Sequence, residues 1–110
     1  MKEERTYRDD VFDVTRLIPP GRATTYGHIA DYLALGSARM VGWALNNCFG
    51  EPDIPAHRVV NRKGELSGRN HFSPPSSMQE RLEAEGIKVV NDKIVNFAEI
   101  LWIPAEELDF

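Results

Sequence analysis

Residues 24–45 read TTYGHIADYLALGSARMVGWAL, and this stretch decides the fold. Tyr26, Ile29, Ala30 and Leu33 recur at helical spacing and form one apolar stripe. Thr24 or Thr25 stands where an N-cap is needed, because a hydroxyl there accepts from an otherwise unsatisfied backbone N–H. Leu35-Gly36-Ser37 is a short turn, with Ser37 as the next N-cap. A further helix comes next, with Ala38, Val41 and Leu45 on its inner face. Two short helices joined by a tight, Gly-containing turn spell a helix-turn-helix.

Outward from this pair, Tyr7, Val11, Val14 and Ile18 predict an amphipathic helix over residues 7–18, stopped by Pro19-Pro20-Gly21. On the other side, residues 57–61 carry the β-branched pair Val59-Val60 and are expected to be extended. Lys63-Gly64 is a turn from which Glu65-Leu66-Ser67 returns as a strand, and residues 68–75 read as an exposed loop. Ser77-Met78-Gln79-Glu80 has the form of a capping box, and Gly86 suits the end of the helix it opens. Residues 89–95 suggest a hairpin, and Ile100-Leu101-Trp102-Ile103 an apolar tail that packs on the core.

A chain of 110 residues suits a single domain over 1–110 with one modest core. No apolar run approaches the roughly 20 residues of a membrane span, which argues against a membrane partner. The start (Lys2, Glu3, Glu4, Arg5) lacks the apolar stretch of a signal peptide. The lone Cys48 cannot form an internal disulfide, so a cytoplasmic location is expected. His28, His57 and His71 form no ligand cluster by spacing, so neither a metal nor a cofactor is indicated. The net charge of −4 is unusual for a nucleic-acid binder, but it is unevenly spread. Residues 16–72 hold seven basic and four acidic side chains, a local +3; the remainder holds six and thirteen, or −7. The basic part spans the helix-turn-helix and the segment immediately C-terminal to it.

The hexapeptide Pro55-Ala56-His57-Arg58-Val59-Val60 gives this arrangement its chemistry. It resembles the active-site signature of the O6-alkylguanine-DNA alkyltransferases, in which the residue between Pro and His is the cysteine that accepts the alkyl group. Ile18-Pro19-Pro20-Gly21-Arg22, Thr25-Tyr26-Gly27-His28-Ile29-Ala30, Arg39-Met40-Val41-Gly42 and Glu85-Gly86 resemble further segments of that family's DNA-binding domain, in order, over residues 11–88. The tail through Trp102 is more similar to the alkyltransferase-like branch. That branch lacks the cysteine, binds O6-alkylguanine in DNA and hands it to nucleotide excision repair. Its usual replacement is tryptophan, so Ala56 departs from both branches. A methyl side chain has no lone pair and cannot be a nucleophile.

The resemblance implies a mainly α, winged helix-turn-helix DNA-binding domain with short β-hairpin elements. It implies a monomeric, non-enzymatic sensor whose partners are double-stranded DNA containing O6-alkylguanine and nucleotide excision repair proteins. To inspect guanine O6 in an enclosed pocket the nucleotide must be flipped, at a cost of a few kcal/mol. The implied DNA-binding residues are Tyr26, Arg39, Gly42, Arg62, Lys63 and Arg69. Arg39 enters the vacated stack, Tyr26 helps rotate the nucleotide, and Gly42 lets the backbone approach closely. Arg62 and Lys63 serve as phosphate contacts, few enough that salt dependence is moderate. The implied lesion pocket comprises Tyr26, Pro55, Ala56, His57, Val59 and Arg69, with Arg69 against the flipped base. His57 and Glu85, a thiol-activating relay in a true alkyltransferase, become structural. Arg58 belongs to the polar frame of the hexapeptide, and Asn61 ties it to the recognition helix. Ala56 in place of a larger residue is expected to leave room for bulky adducts.

Tyr26 and Gly42 also have plain readings, a core aromatic and a helix-packing glycine, and Trp43 can face DNA or the interior. Two other functions compete. Cys48, eight residues before Ala56, is an alternative nucleophile, although it continues the inner face of Ala38, Val41 and Leu45. A sequence-specific regulator would read bases with Arg39, Trp43 and Asn46.

Overall fold

The computed structural model describes residues 5–48, 51 and 53–108. The sequence features at Lys2, Glu3 and Glu4 lie outside these. The first helix, α1 (Tyr7–Arg16), begins where the Thr6 N–H donates to the Asp9 carboxylate at 2.9 Å. It ends at Leu17, two residues short of Pro19. Gly21 then takes a left-handed φ of +84°, which a side chain would resist.

The helix-turn-helix forms as expected. Thr25, not Thr24, caps α2 (Tyr26–Tyr32), its hydroxyl accepting from the His28 N–H at 3.0 Å. Ser37 precedes α3 (Ala38–Leu45) but gives it no side-chain cap. On α3 the buried face is Val41, Ala44 and Leu45, while Ala38 is exposed. The inner face is thus rotated from the expected one, because Ala38 occupies the first turn, which projects beyond the core. α3 packs between α2 and α1.

Beyond α3 the expectation of an extended 57–61 holds only in part. Ala56–Arg58 is a turn of 3-10 helix, and only Val59–Val60 (β2) is extended. β2 pairs in parallel with Thr24–Thr25 (β1), Thr24 opposite Val59 and Thr25 opposite Val60. The hexapeptide is therefore fastened to the residue that starts α2. No strand returns over Glu65-Leu66-Ser67; Glu65 makes a single bridge to Lys93. Nor is the 68–75 loop wholly exposed: it contains a 3-10 turn at Arg69–His71 and buries Phe72. The fourth helix, α4 (Ser76–Ala84), starts after Pro75, so Ser77 lies inside it and makes no cap. Proline's fixed φ suits a helix entry without one.

Gly86, φ +88°, ends α4 as expected. The hairpin also forms, from Val89–Val90 (β3) and Lys93–Ile94 (β4). Its turn residues Asn91 and Asp92 both have positive φ, +52° and +60°, which suits a two-residue hairpin turn. Two short helices complete the described chain, α5 (Phe97–Ile100) and α6 (Pro104–Glu107). Between them Trp102 is buried, and its N–H donates to the Ala23 carbonyl at 2.7 Å. The result is a mainly helical, winged helix-turn-helix domain with the hairpin as its wing. Among the described residues no helix is long and apolar enough to cross a membrane.

Candidate nucleic-acid interface

Glu85, just past α4, gathers three separate segments. Its carboxylate accepts from Arg58 Nε and Nη2 (3.0 and 2.7 Å), from His57 Nε2 (2.8 Å) and from the Gly21 N–H (3.1 Å). The Arg58 guanidinium also donates to the Ile18 carbonyl at 2.8 Å. Burial pushes the Glu85 pKa up, but the donors from Arg58, His57 and Gly21 outweigh it and bring it down from the ordinary 4.5 to about 2. Burial holds His57 below the usual histidine range, so the ring is neutral at pH 7. An ionised carboxylate only accepts, which fixes the proton on Nε2. His57 Nδ1 is then a buried lone pair without a partner among the described residues.

Ala56 is buried and lines a small cavity with Tyr26, Leu45, Asn46, Gly68, His71, Phe72 and Met78. The cavity holds about 10 Å³, room for roughly one water. The extra space expected beside Ala56 is therefore not open here; the neighbouring side chains have closed over the methyl group. Tyr26 separates this cavity from an open groove of about 400 Å³, lined by Tyr26, Gly27, Ala38, Asn61, Arg62, Lys63 and Glu65. Tyr26 thus lines both the interior cavity and the groove. Burial raises the Tyr26 pKa, and its hydroxyl is hydrogen-bonded to Ser67. Gly68 makes this possible: a Cβ there would lie 2.7 Å from the Tyr26 oxygen.

The implied pocket residues are not all assembled. Tyr26 and Ala56 line the cavity together, and the half-buried Pro55 precedes Ala56 at the start of the 3-10 turn. His57 turns away toward Glu85, and Val59 is fully buried in the pair with β1. Arg69 lies outside, in a polar groove with Asn61, Glu65, Ser67, Asn91 and Asp92. There it donates to the Leu66 carbonyl at 3.2 Å and stands 3.7 Å from the Asp92 carboxylate, a loose pair on the wing turn. Among the described residues Asn61 makes no side-chain hydrogen bond to the recognition helix. Its side-chain oxygen accepts from the Lys63 and Glu65 N–H groups, shaping the turn that presents Arg62 and Lys63.

On α3, Arg39 is exposed and makes no hydrogen bond or ion pair among the described residues. A Cβ at Gly42 would meet nothing within 4 Å, so internal packing does not require glycine there. Trp43 faces outward, 55 % exposed. Cys48 is buried at 1 % exposure, and that burial raises its thiol pKa, both adverse to a nucleophile. Gly68, Ser67 and Phe72 were missed in the sequence because nothing local marks a polar loop residue as the neighbour of a tyrosine some 40 positions earlier.

The description "6-O-methylguanine DNA methyltransferase, DNA binding domain" belongs to a family model that matches residues 6–87. The chain belongs to this family. Within the methyltransferase family it is 35 % identical to alkyltransferase-like protein 1 of Schizosaccharomyces pombe, over 86 % of this chain and 92 % of that protein. It is 36 % identical to a DNA base-flipping protein of Vibrio parahaemolyticus, over 86 % and 93 % of the two chains. A crystal structure of the S. pombe protein Atl1 with damaged DNA containing O6-carboxymethylguanine superposes with a TM-score of 0.78 at 33 % identity, covering 90 % of this chain and 98 % of that one. Proteins named as methyltransferases are also similar: a bifunctional methyltransferase/endonuclease of Thermoplasma volcanium is 35 % identical over 82 % of this chain and 28 % of its own. A methylated-DNA–protein-cysteine methyltransferase of Shigella flexneri is 35 % identical over 56 % of this chain and 37 % of its own.

Proposed function

We propose that this chain is a non-enzymatic DNA damage sensor that flips O6-alkylguanine out of the duplex and directs it to nucleotide excision repair. The observation that carries this reading is Ala56. It lines the cavity, beside an intact His57–Glu85–Arg58 frame, where the resemblance would put a nucleophilic thiol. The His57–Glu85–Arg58 frame is present, and position 56 offers no acceptor atom. The burial of Cys48 supports the same reading, because no other thiol is presented to a base. The similarity to a protein solved with O6-carboxymethylguanine DNA and to DNA base-flipping proteins supports DNA as the partner.

In this reading Arg39 enters the stack, and Arg62 and Lys63 hold a phosphate in the groove beside Tyr26. The cavity must open to admit a base. Arg69 exchanges its loose contact with Asp92 for the face of the extruded base, where a desolvated guanidinium gains about 2 kcal/mol. The sensor acts as a monomer, a single domain over residues 1–110, in the cytoplasm. The test is a titration at fixed salt against two identical duplexes, one with O6-methylguanine and one with guanine, followed by recovery of the DNA. Tighter binding to the lesion with the methyl group retained is expected. Equal binding would refute lesion recognition, and loss of the methyl group would refute the non-enzymatic role.

A further inference from the structure

Trp43 is a costly residue to leave in water. Its indole is 55 % exposed, and its N–H has no partner among the described residues. The second tryptophan, Trp102, is buried at 3 % exposure, so the core has not run out of room for such a side chain by type. Trp43 lies four residues after Arg39 on α3, hence directly below it on the same helix face. The intervening Val41 points into the core, while a Cβ at Gly42 would meet nothing within 4 Å. An apolar aromatic thus extends the exposed stripe that begins with an unpaired arginine.

We propose that Trp43 is a second DNA-contacting residue, its indole lying against deoxyribose of the duplex and contributing affinity for DNA whether or not a lesion is present. The proposal rests on the DNA-binding reading above. Three features favour DNA over a protein as occupant. Trp43 is continuous with Arg39. The groove at the start of the same helix, at Ala38, carries Arg62 and Lys63. The acidic excess of the chain lies elsewhere, outside residues 16–72. An indole offers an apolar face for sugar C–H groups and one N–H donor for a phosphate or base acceptor. Contacts of this kind carry little sequence information and do not sense O6, which faces the major groove.

Intrinsic fluorescence isolates this residue, because Trp102 is shielded. Acrylamide quenching of the full chain is measured free and saturated with unmodified duplex at low salt, with binding followed separately by anisotropy of labelled DNA. Protection of the exposed emission on binding is expected. Trp43→Ala is expected to weaken binding to guanine and O6-methylguanine duplexes by the same factor, about tenfold, and Trp43→Phe by less. The thermal midpoint of both variants is expected to stay with the parent. Undiminished quenching in the DNA complex would overturn the proposal and leave Trp43 free for a protein. So would an unchanged affinity of Trp43→Ala, or a loss confined to the lesion. Absence of any anisotropy change with either duplex would instead remove the DNA reading itself, and this proposal with it.

Discussion

Replacing Glu85 by glutamine isolates the charge at the centre of the polar frame. The carboxylate is 15 % exposed and its partner Arg58 14 %, so water does little to compensate either ion. The drop in the Glu85 pKa from 4.5 to about 2 corresponds to about 3 kcal/mol at 1.36 kcal/mol per pH unit. Screening at the partly wet rim reduces this, so about 2–3 kcal/mol is expected. The amide keeps an acceptor for Arg58 but sets an N–H₂ group among donors, and the Arg58 charge loses its counterion. Proton uptake sets the sign. The unfolded chain binds a proton at Glu85 near pH 4.5 and the folded chain only near pH 2, so this stability is complete above pH 4.5 and lost as the pH falls toward 2. Urea unfolding of the parent and Glu85→Gln between pH 7 and pH 2 measures it. The two should differ by about 2–3 kcal/mol at pH 7 and converge at the acid end. A difference below about 0.5 kcal/mol at pH 7, or one independent of pH, would refute the assignment of Glu85 as an ionised structural hub.

Gly68→Ala should destabilise the fold by about 1–3 kcal/mol through the clash with the Tyr26 hydroxyl. Gly68 has an ordinary φ of −90°, so strain from backbone conformation is not involved. In a Tyr26→Phe background the clashing oxygen is gone; a double-mutant cycle in thermal or urea unfolding should recover most of the loss, and additivity would contradict the contact. Arg39→Ala should leave stability within about 0.5 kcal/mol, because Arg39 has no internal partner among the described residues. It should nonetheless lower affinity for an O6-methylguanine duplex about tenfold or more in an anisotropy titration; an unchanged affinity would remove Arg39 from the flipping mechanism.

The helix-turn-helix was legible because its information is local. Stripes at Tyr26, Ile29 and Ala30 and the cap at Thr25 act within a few residues of each other. The hairpin and the stop at Gly86 are local for the same reason. What sequence could not give was pairing at a distance. The parallel pair of β1 with β2 replaced an expected local return over residues 65–67, because the partner of Val59 is Thr24, not a near neighbour. Ser77 looked like a cap only while the helix start was unknown; Pro75 moved that start upstream. In the site, Tyr26 with Ala56 was recoverable from motif order. The displacement of Arg69 toward Asp92 was not, because it depends on where the wing turn lands.

The same distinction bears on why a frame associated with thiol activation stands beside an alanine. If His57 and Glu85 served only to deprotonate a cysteine, Ala56 would leave both without a task. Their contacts indicate otherwise. Through Glu85, the Gly21 turn after α1, the 3-10 turn at Ala56–Arg58 and the end of α4 are joined by charged and backbone donors. Arg58 adds the Ile18 carbonyl at the end of the first helical segment. Removing one member exposes a buried charge or an unpaired donor, at a cost of several kcal/mol. Replacing a cysteine by alanine disturbs none of these bonds, since the side chain at position 56 takes part in none of them. The acceptor is thus the one element of such a site that can be deleted without loosening the walls around it.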